Sequence, residues 1–188
     1  MFLATALLIV RVYDTFGIAP ADLHAARTTT RAILNDAGIR LVWRDCLDPA
    51  ECDNTLGSSE LIVRIVTAPP ASQSQSLGSS FVDPAHRSGT LATVFADRVV
   101  ALARSADARL GQLLGRTITH ELGHLLVGST DHAVRGLMRG RWTISEVLRN
   151  LPGDWLLSTE DGRLMRWGLT GRVGIVAENE GLSLRFGD

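Results

Sequence analysis

A chain of 188 residues, 45% hydrophobic and with a formal charge of -1, is long enough for one domain with a real core. Near-neutrality removes the electrostatic case for a nucleic-acid partner. No apolar stretch reaches the length of a membrane span.

Residues 1–10 are apolar but carry no basic leader and no small-residue cleavage site. Residues 1–6 read either as the remnant of a signal segment or as ordinary chain. Residues 7–13, rich in Leu, Ile and Val and closed by Asp14 and Gly17, predict a first strand. Pro20 and Ala21 open a helix with apolar positions at Leu23, Ala26, Ile33, Leu34 and Ala37, and Gly38 stops it. Residues 39–43 and 61–66 predict two further strands. Between them lie Cys46 and Cys52, too far apart in the chain for C-x-x-C and distant from any histidine. They read as a short disulfide loop, which implies an oxidising compartment, or as two free thiols.

Residues 69–80, rich in Pro, Ser and Gln, read as a loop. Residues 90–95 predict a fourth strand and residues 97–103 a short helix. A long helix is expected over residues 107–127, with Leu110, Leu113, Leu114, Ile118, Leu122, Leu125 and Leu126 covering much of its circumference. That pattern belongs to a helix inside a domain. Gly128 ends it. Residues 143–148 and 158–167 read as helices, the second with a capping start at Ser158. Residues 172–188 mix β-type residues with glycine and acids and receive no assignment. Strands alternating with helices in this order predict an α+β domain over residues 1–188, with a mixed, twisted sheet.

The long helix carries His120-Glu121-Leu122-Gly123-His124. Two histidines one turn apart project from one helix face and can share a Zn²⁺, and a glutamate beside the first can serve as a base. Past Gly128 the chain can fold back by a turn of positive φ, so that His132 reaches the same metal from a loop. Three histidines plus water make a catalytic zinc site. There Glu121 takes a proton from the water and passes it to a leaving amine. Asp131 and Glu146 are the rival third ligands. Asp131 is also a candidate acceptor for the far nitrogen of a liganding imidazole.

The segment 119–142 resembles the metzincin clan of zinc metallopeptidases, whose motif is H-E-x-x-H-x-x-G-x-x-H with a methionine in a tight turn downstream. His120, Glu121, His124, Gly128, His132 and Met138 look like the counterparts. The glycine falls one residue later than in that motif, and the third histidine two residues later. The chain thus resembles a divergent bacterial branch. The resemblance implies a zincin fold, one catalytic Zn²⁺ and an endopeptidase acting on peptide or protein substrates. It also implies an edge strand above the helix that binds substrate in extended form; residues 90–95 are the candidate. A secreted or periplasmic monomer is expected. A zinc-binding module without catalysis and a zinc amidohydrolase on non-peptide amides are the alternatives. The one tyrosine, Tyr13, precedes the motif, so Arg139 and Arg141 are the nearby candidates for stabilising an oxyanion. His24 and His86 are read as solvated.

Overall fold

In β1 (Ala6–Asp14) alternate side chains, Leu8, Val10 and Val12, are buried. The same alternation runs through β3 (Glu60–Val66) at Leu61, Val63 and Ile65, and through β2 (Ile39–Asp45) at Ile39 and Leu41. A period of two places one face of each strand against a common core. The computed structural model describes residues 6–47, 52–70 and 75–183, with side chains through residue 172.

Five strands pair in the order β2-β1-β3-β5-β4, where β4 is Gly78–Asp83 and β5 is Ser88–Phe95. β2, β1, β3 and β5 are parallel, and β4 runs antiparallel to β5. The sheet is therefore mixed, and the domain α+β, as its sequence implied.

Helices α1 (Pro20–Asp36) and α3 (Leu110–Val127) cross closely because α3 puts glycines at the contact. A Cβ on Gly115 would lie 2.5 Å from the Ala26 carbonyl oxygen, and one on Gly111 would lie 2.6 Å from that of Asp22. Thr30 Oγ1 donates to the Gly115 carbonyl at 2.9 Å across the same crossing. α3 also packs against β4, β5 and α2 (Ala96–Ser105). α5 (Thr159–Ser183) closes over it, with Gly168 against the Leu126 carbonyl. Fifteen residues of α3 are buried, from Gly111 to Leu126. A short α4 (Ile144–Arg149) and a 3-10 turn at Pro152–Trp155 link α3 to α5.

Cys46 and Cys52 are disulfide-bonded. The buried Arg11 guanidinium pairs with Glu60 and donates to the carbonyls of Cys52 (2.9 Å) and Asn54 (2.8 Å), tying the disulfide loop to the sheet. Among the described residues, no helix is long and apolar enough to cross a membrane.

The structure corrects three expectations. The segment 69–80 is not loop throughout, because β4 starts at Gly78. Gly78-Ser79-Ser80 has weak strand propensity, and its extended form comes from pairing with β5. Consequently residues 90–95 are not an edge strand: β5 lies between β3 and β4, and the edge beside α3 is β4. The long helix begins at Leu110, since Asp107 takes a φ of 47° and the chain reverses there from α2. The unassigned tail continues α5 as far as Ser183. Residues 184–188 lie outside the described residues, as do residues 1–5 of the possible signal remnant; Ala6 opens β1.

Candidate metal centre

One turn of α3 sets the site. The ring centroids of His120 and His124 are 4.7 Å apart, and their Nε2 atoms face each other at 3.0 Å. Each ring is oriented from behind by a backbone carbonyl. His120 Nδ1 donates to Leu137 O at 2.9 Å, and His124 Nδ1 donates to Ser129 O at 2.8 Å. With the proton on Nδ1, each Nε2 presents a lone pair. Two lone pairs directed at one point have no hydrogen to share. A cation between them would satisfy both.

His132 completes the cluster. One ligating nitrogen from each of the three rings lies within 4.8 Å of the others. Its ring is 5.3 Å from that of His120 and 4.8 Å from that of His124. Around a tetrahedral zinc with Zn–N bonds of about 2.05 Å, ligand nitrogens stand about 3.3 Å apart. The His120–His124 pair already has nearly that spacing, and the nitrogen that His132 offers lies within 4.8 Å of both. The donor set therefore fits a divalent metal with three imidazole ligands and a position open to the cleft.

The backbone explains how His132 arrives. α3 runs through Val127, so the late glycine is accommodated by one more helical residue. Gly128 then caps the helix at φ 68°, ψ 36°, with its N–H on His124 O. A Cβ there would lie 2.1 Å from Arg87 O in the β4–β5 hairpin, so both the conformation and the space demand glycine. Gly128→Ala should destabilise the fold by about 2 kcal/mol or more, read as a lowered melting temperature of the metal-free protein; an unchanged melting curve would contradict this packing. After the cap, Ala133 N donates to Met138 O at 2.9 Å, closing the loop that carries His132. Gly140 lies under the His132 ring, where a Cβ would be 3.0 Å from Cγ.

Met138 is buried beneath α3. It follows Gly136 (φ 77°) and Leu137 in a turn closed by Arg139 N on Gly136 O at 3.4 Å. Its sulfur fits only because residue 123 is glycine, whose Cβ would lie 2.6 Å from Sδ. The same turn supplies the Leu137 carbonyl that orients His120.

Burial sets the protonation of the site. It pulls the pKa of His120 down to about 4 and lowers that of His124, so both rings are neutral at pH 7. Burial also raises the Glu121 carboxyl to about 7, against a hydrogen bond from Ser80 that lowers it. Glu121 is 5% exposed. Ser80 Oγ, on the edge strand, lies 2.6 Å from its Oε2 and 2.9 Å from its carbonyl oxygen. Gly78 makes room for the carboxylate, since a Cβ there would lie 2.5 Å from Oε1.

The rival ligands are held elsewhere. Asp131 is exposed and accepts from Ser129 Oγ at 2.8 Å, and the acceptor behind His124 is the Ser129 carbonyl. Glu146 closes a capping box with Thr143 and pairs with Arg139 at 3.5 Å. The Thr143-x-x-Glu146 spacing was the sequence signal for that role. Arg139 is buried, with Nη1 on the carbonyls of Gly136 (2.8 Å) and Asp154 (2.6 Å), so it fastens the turn. Arg141 is exposed at the cleft. The sequence reading missed Ser80, Gly78 and Trp142, whose ring meets that of His120 edge-on at 5.7 Å. The first two sit in the segment read as loop.

The three histidines and Glu121 open onto a cleft of about 870 Å³, walled by β4, α2 and residues 139–142. Archaemetzincin from Methanopyrus kandleri matches this architecture with a TM-score of 0.60, over 90% of this chain and 99% of that one, at 13% identity. The chain has an archaemetzincin-like fold. No family model and no curated protein matches its sequence. The metzincin-like fold implied by the motif is thus recovered from the shape of the backbone, at an identity that shows fold alone.

Proposed function

We propose that this chain is a zinc-dependent endopeptidase forming one metallopeptidase domain over residues 1–188. The observation that carries this reading is the convergence of three imidazole nitrogens within 4.8 Å, beside a buried carboxyl in the same cleft. His120, His124 and His132 would hold one Zn²⁺, and Met138 would be the methionine of the Met-turn. When bound, zinc polarises a substrate carbonyl and lowers the pKa of a water to about 7.

Glu121 does the proton work. A carboxyl placed in the cleft beside the three histidines can take a proton and return it within one turnover. Ser80 steadies Oε2 while the carboxylate faces the cleft. The exposed edge of β4 offers its backbone N–H and C=O groups to a peptide laid alongside as a further strand. This pairing reads main chain and suits cleavage within a chain. The disulfide suits a secreted or periplasmic monomer.

Elemental analysis of the purified protein should find one zinc per chain, and a panel of unfolded proteins should be cut in a chelator-sensitive way. Zinc binding without cleavage would point to a non-catalytic module. Cleavage confined to non-peptide amides would point to an amidohydrolase.

A further inference from the structure

The sheet edge beside the cleft carries an exposed aromatic side chain that the proton transfer does not use. β4 is the outermost strand among the described residues. Just before it begins, Phe95 N donates to Leu77 O at 2.8 Å. Antiparallel pairs alternate between hydrogen-bonded and non-hydrogen-bonded. Ser79 and Phe81 therefore turn their backbone groups toward β5, and Gly78 and Ser80 turn theirs toward the free edge. Sheet edges are commonly blunted by charged residues or proline. Gly78-Ser79-Ser80-Phe81-Val82 has neither. Gly78, Ser79 and Ser80 also wall the cleft, so a strand added here runs along the site.

Side chains alternate across a strand. Ser80 points to Glu121, and its partner in β5, Ala92, is fully buried. Phe81 therefore points to the opposite face of the sheet, in one row with Leu91 of β5 and Ile62 of β3. Leu91 and Ile62 are half-buried, whereas Phe81, at the end of the row, is 75% exposed. It has Leu91 for a neighbour on one side and, among the described residues, no strand on the other. An antiparallel strand added to the edge would set a side chain on that side, with its Cβ about 4.5–5.5 Å from that of Phe81. Aromatic rings pair well across strands with aromatic or β-branched residues. Ser79, two residues away on the same face, is small and polar and makes no such demand.

We propose that Phe81 is a specificity-determining residue: the substrate residue laid beside it, on the face of the sheet away from Glu121, is aromatic or β-branched. This preference rests on the strand-addition part of the peptidase reading, and it concerns which peptides are taken rather than how they are cut.

The test uses the full-length, zinc-loaded chain and peptides of one parent sequence, with Phe, Val or Ser placed at successive positions. Calorimetric binding is measured in the Glu121→Gln background, and kcat/KM with Glu121 in place. At one position Phe and Val should bind about fivefold more tightly than Ser. Phe81→Ser should erase the preference at that position alone. Its melting temperature should not change, because so exposed a ring contributes little to the fold. Phe81→Lys should transfer the preference at the same position to Glu, since opposite charges pair across strands. Retention of the Phe and Val preference in Phe81→Ser would overturn the proposal, and so would an equal loss of binding at every position. Chelator-sensitive cleavage with no dependence on Phe81 would also overturn it, while leaving the peptidase reading intact. Phe81-dependent binding with no cleavage would uphold the site and overturn the peptidase reading.

Discussion

Glu121→Gln is expected to lower peptide hydrolysis by about 10²–10⁴-fold, the range a positioned acid–base group contributes, with zinc content unchanged. Glutamine has the shape of glutamate, its amide oxygen can accept the Ser80 hydroxyl as Oε2 does, and the space beside Gly78 stays filled. It cannot take up a proton at neutral pH. The metal ligands do not involve residue 121, so elemental analysis should still find the zinc. The same variant has an effect on stability whose sign can be worked out. Burial raises the Glu121 pKa from 4.5 to about 7 in the folded chain, so the fold disfavours its ionised form. The contribution of Glu121 is therefore intact below about pH 4.5 and is lost as pH rises through about 7. Glutamine has no ionised form to disfavour. Metal-free Glu121→Gln should match the wild type in acid and melt at higher temperature above pH 7, by an amount on the order of 3 kcal/mol. His120 shifts in the opposite direction, but it does so in both proteins and drops out of the comparison. Full activity in the variant would remove Glu121 from the proton-transfer role. Equal melting curves at pH 8 would show that the carboxylate is solvated.

The parts of this architecture that were legible in the sequence are those set by local periodicity. Leu8, Val10 and Val12 alternate, so β1 was readable. The leucines of α3 recur at helical spacing, so the helix and the shared face of His120 and His124 were readable too. The parts that were not legible depend on segments distant in the chain. β4 has Gly-Ser-Ser where a strand would be recognised, and only its pairing to β5 extends it. Ser80 therefore could not be placed against Glu121, although 41 residues of sequence separation end in a 2.6 Å contact. Likewise Gly123 and Gly140 look like ordinary glycines until Met138 and the His132 ring are seen resting on them. The position of His132 was half-legible. Its spacing from the helix could be counted, but its direction is set by the αL cap at Gly128 and by the Ala133–Met138 hydrogen bond.

His132→Ala should therefore separate metal binding from folding more cleanly than any other change at the site. His132 is exposed, carried on a loop whose closure uses the backbone of Ala133 and Met138, and it belongs to no apolar cluster. Truncating it removes neither core volume nor a buried hydrogen bond, so the metal-free melting temperature should move by less than the equivalent of about 0.5 kcal/mol. Zinc affinity should fall by more than about 100-fold, beyond the range that accompanies loss of a neighbour hydrogen-bonded to a ligand. Neither rival can take its place at low cost. Asp131 would have to leave Ser129, and Glu146 would have to abandon the cap of α4 and its pairing with Arg139. Competition against a chelator of known affinity, alongside a melting curve without metal, reads the two quantities separately. Retained zinc affinity would transfer the third position to Asp131 or Glu146. A large fall in the metal-free melting temperature would make His132 a structural residue of the loop. The expected pattern, a stable chain that has lost its metal, arises because His120 and His124 are already held by Leu137 and Ser129 while the third nitrogen depends on one exposed ring.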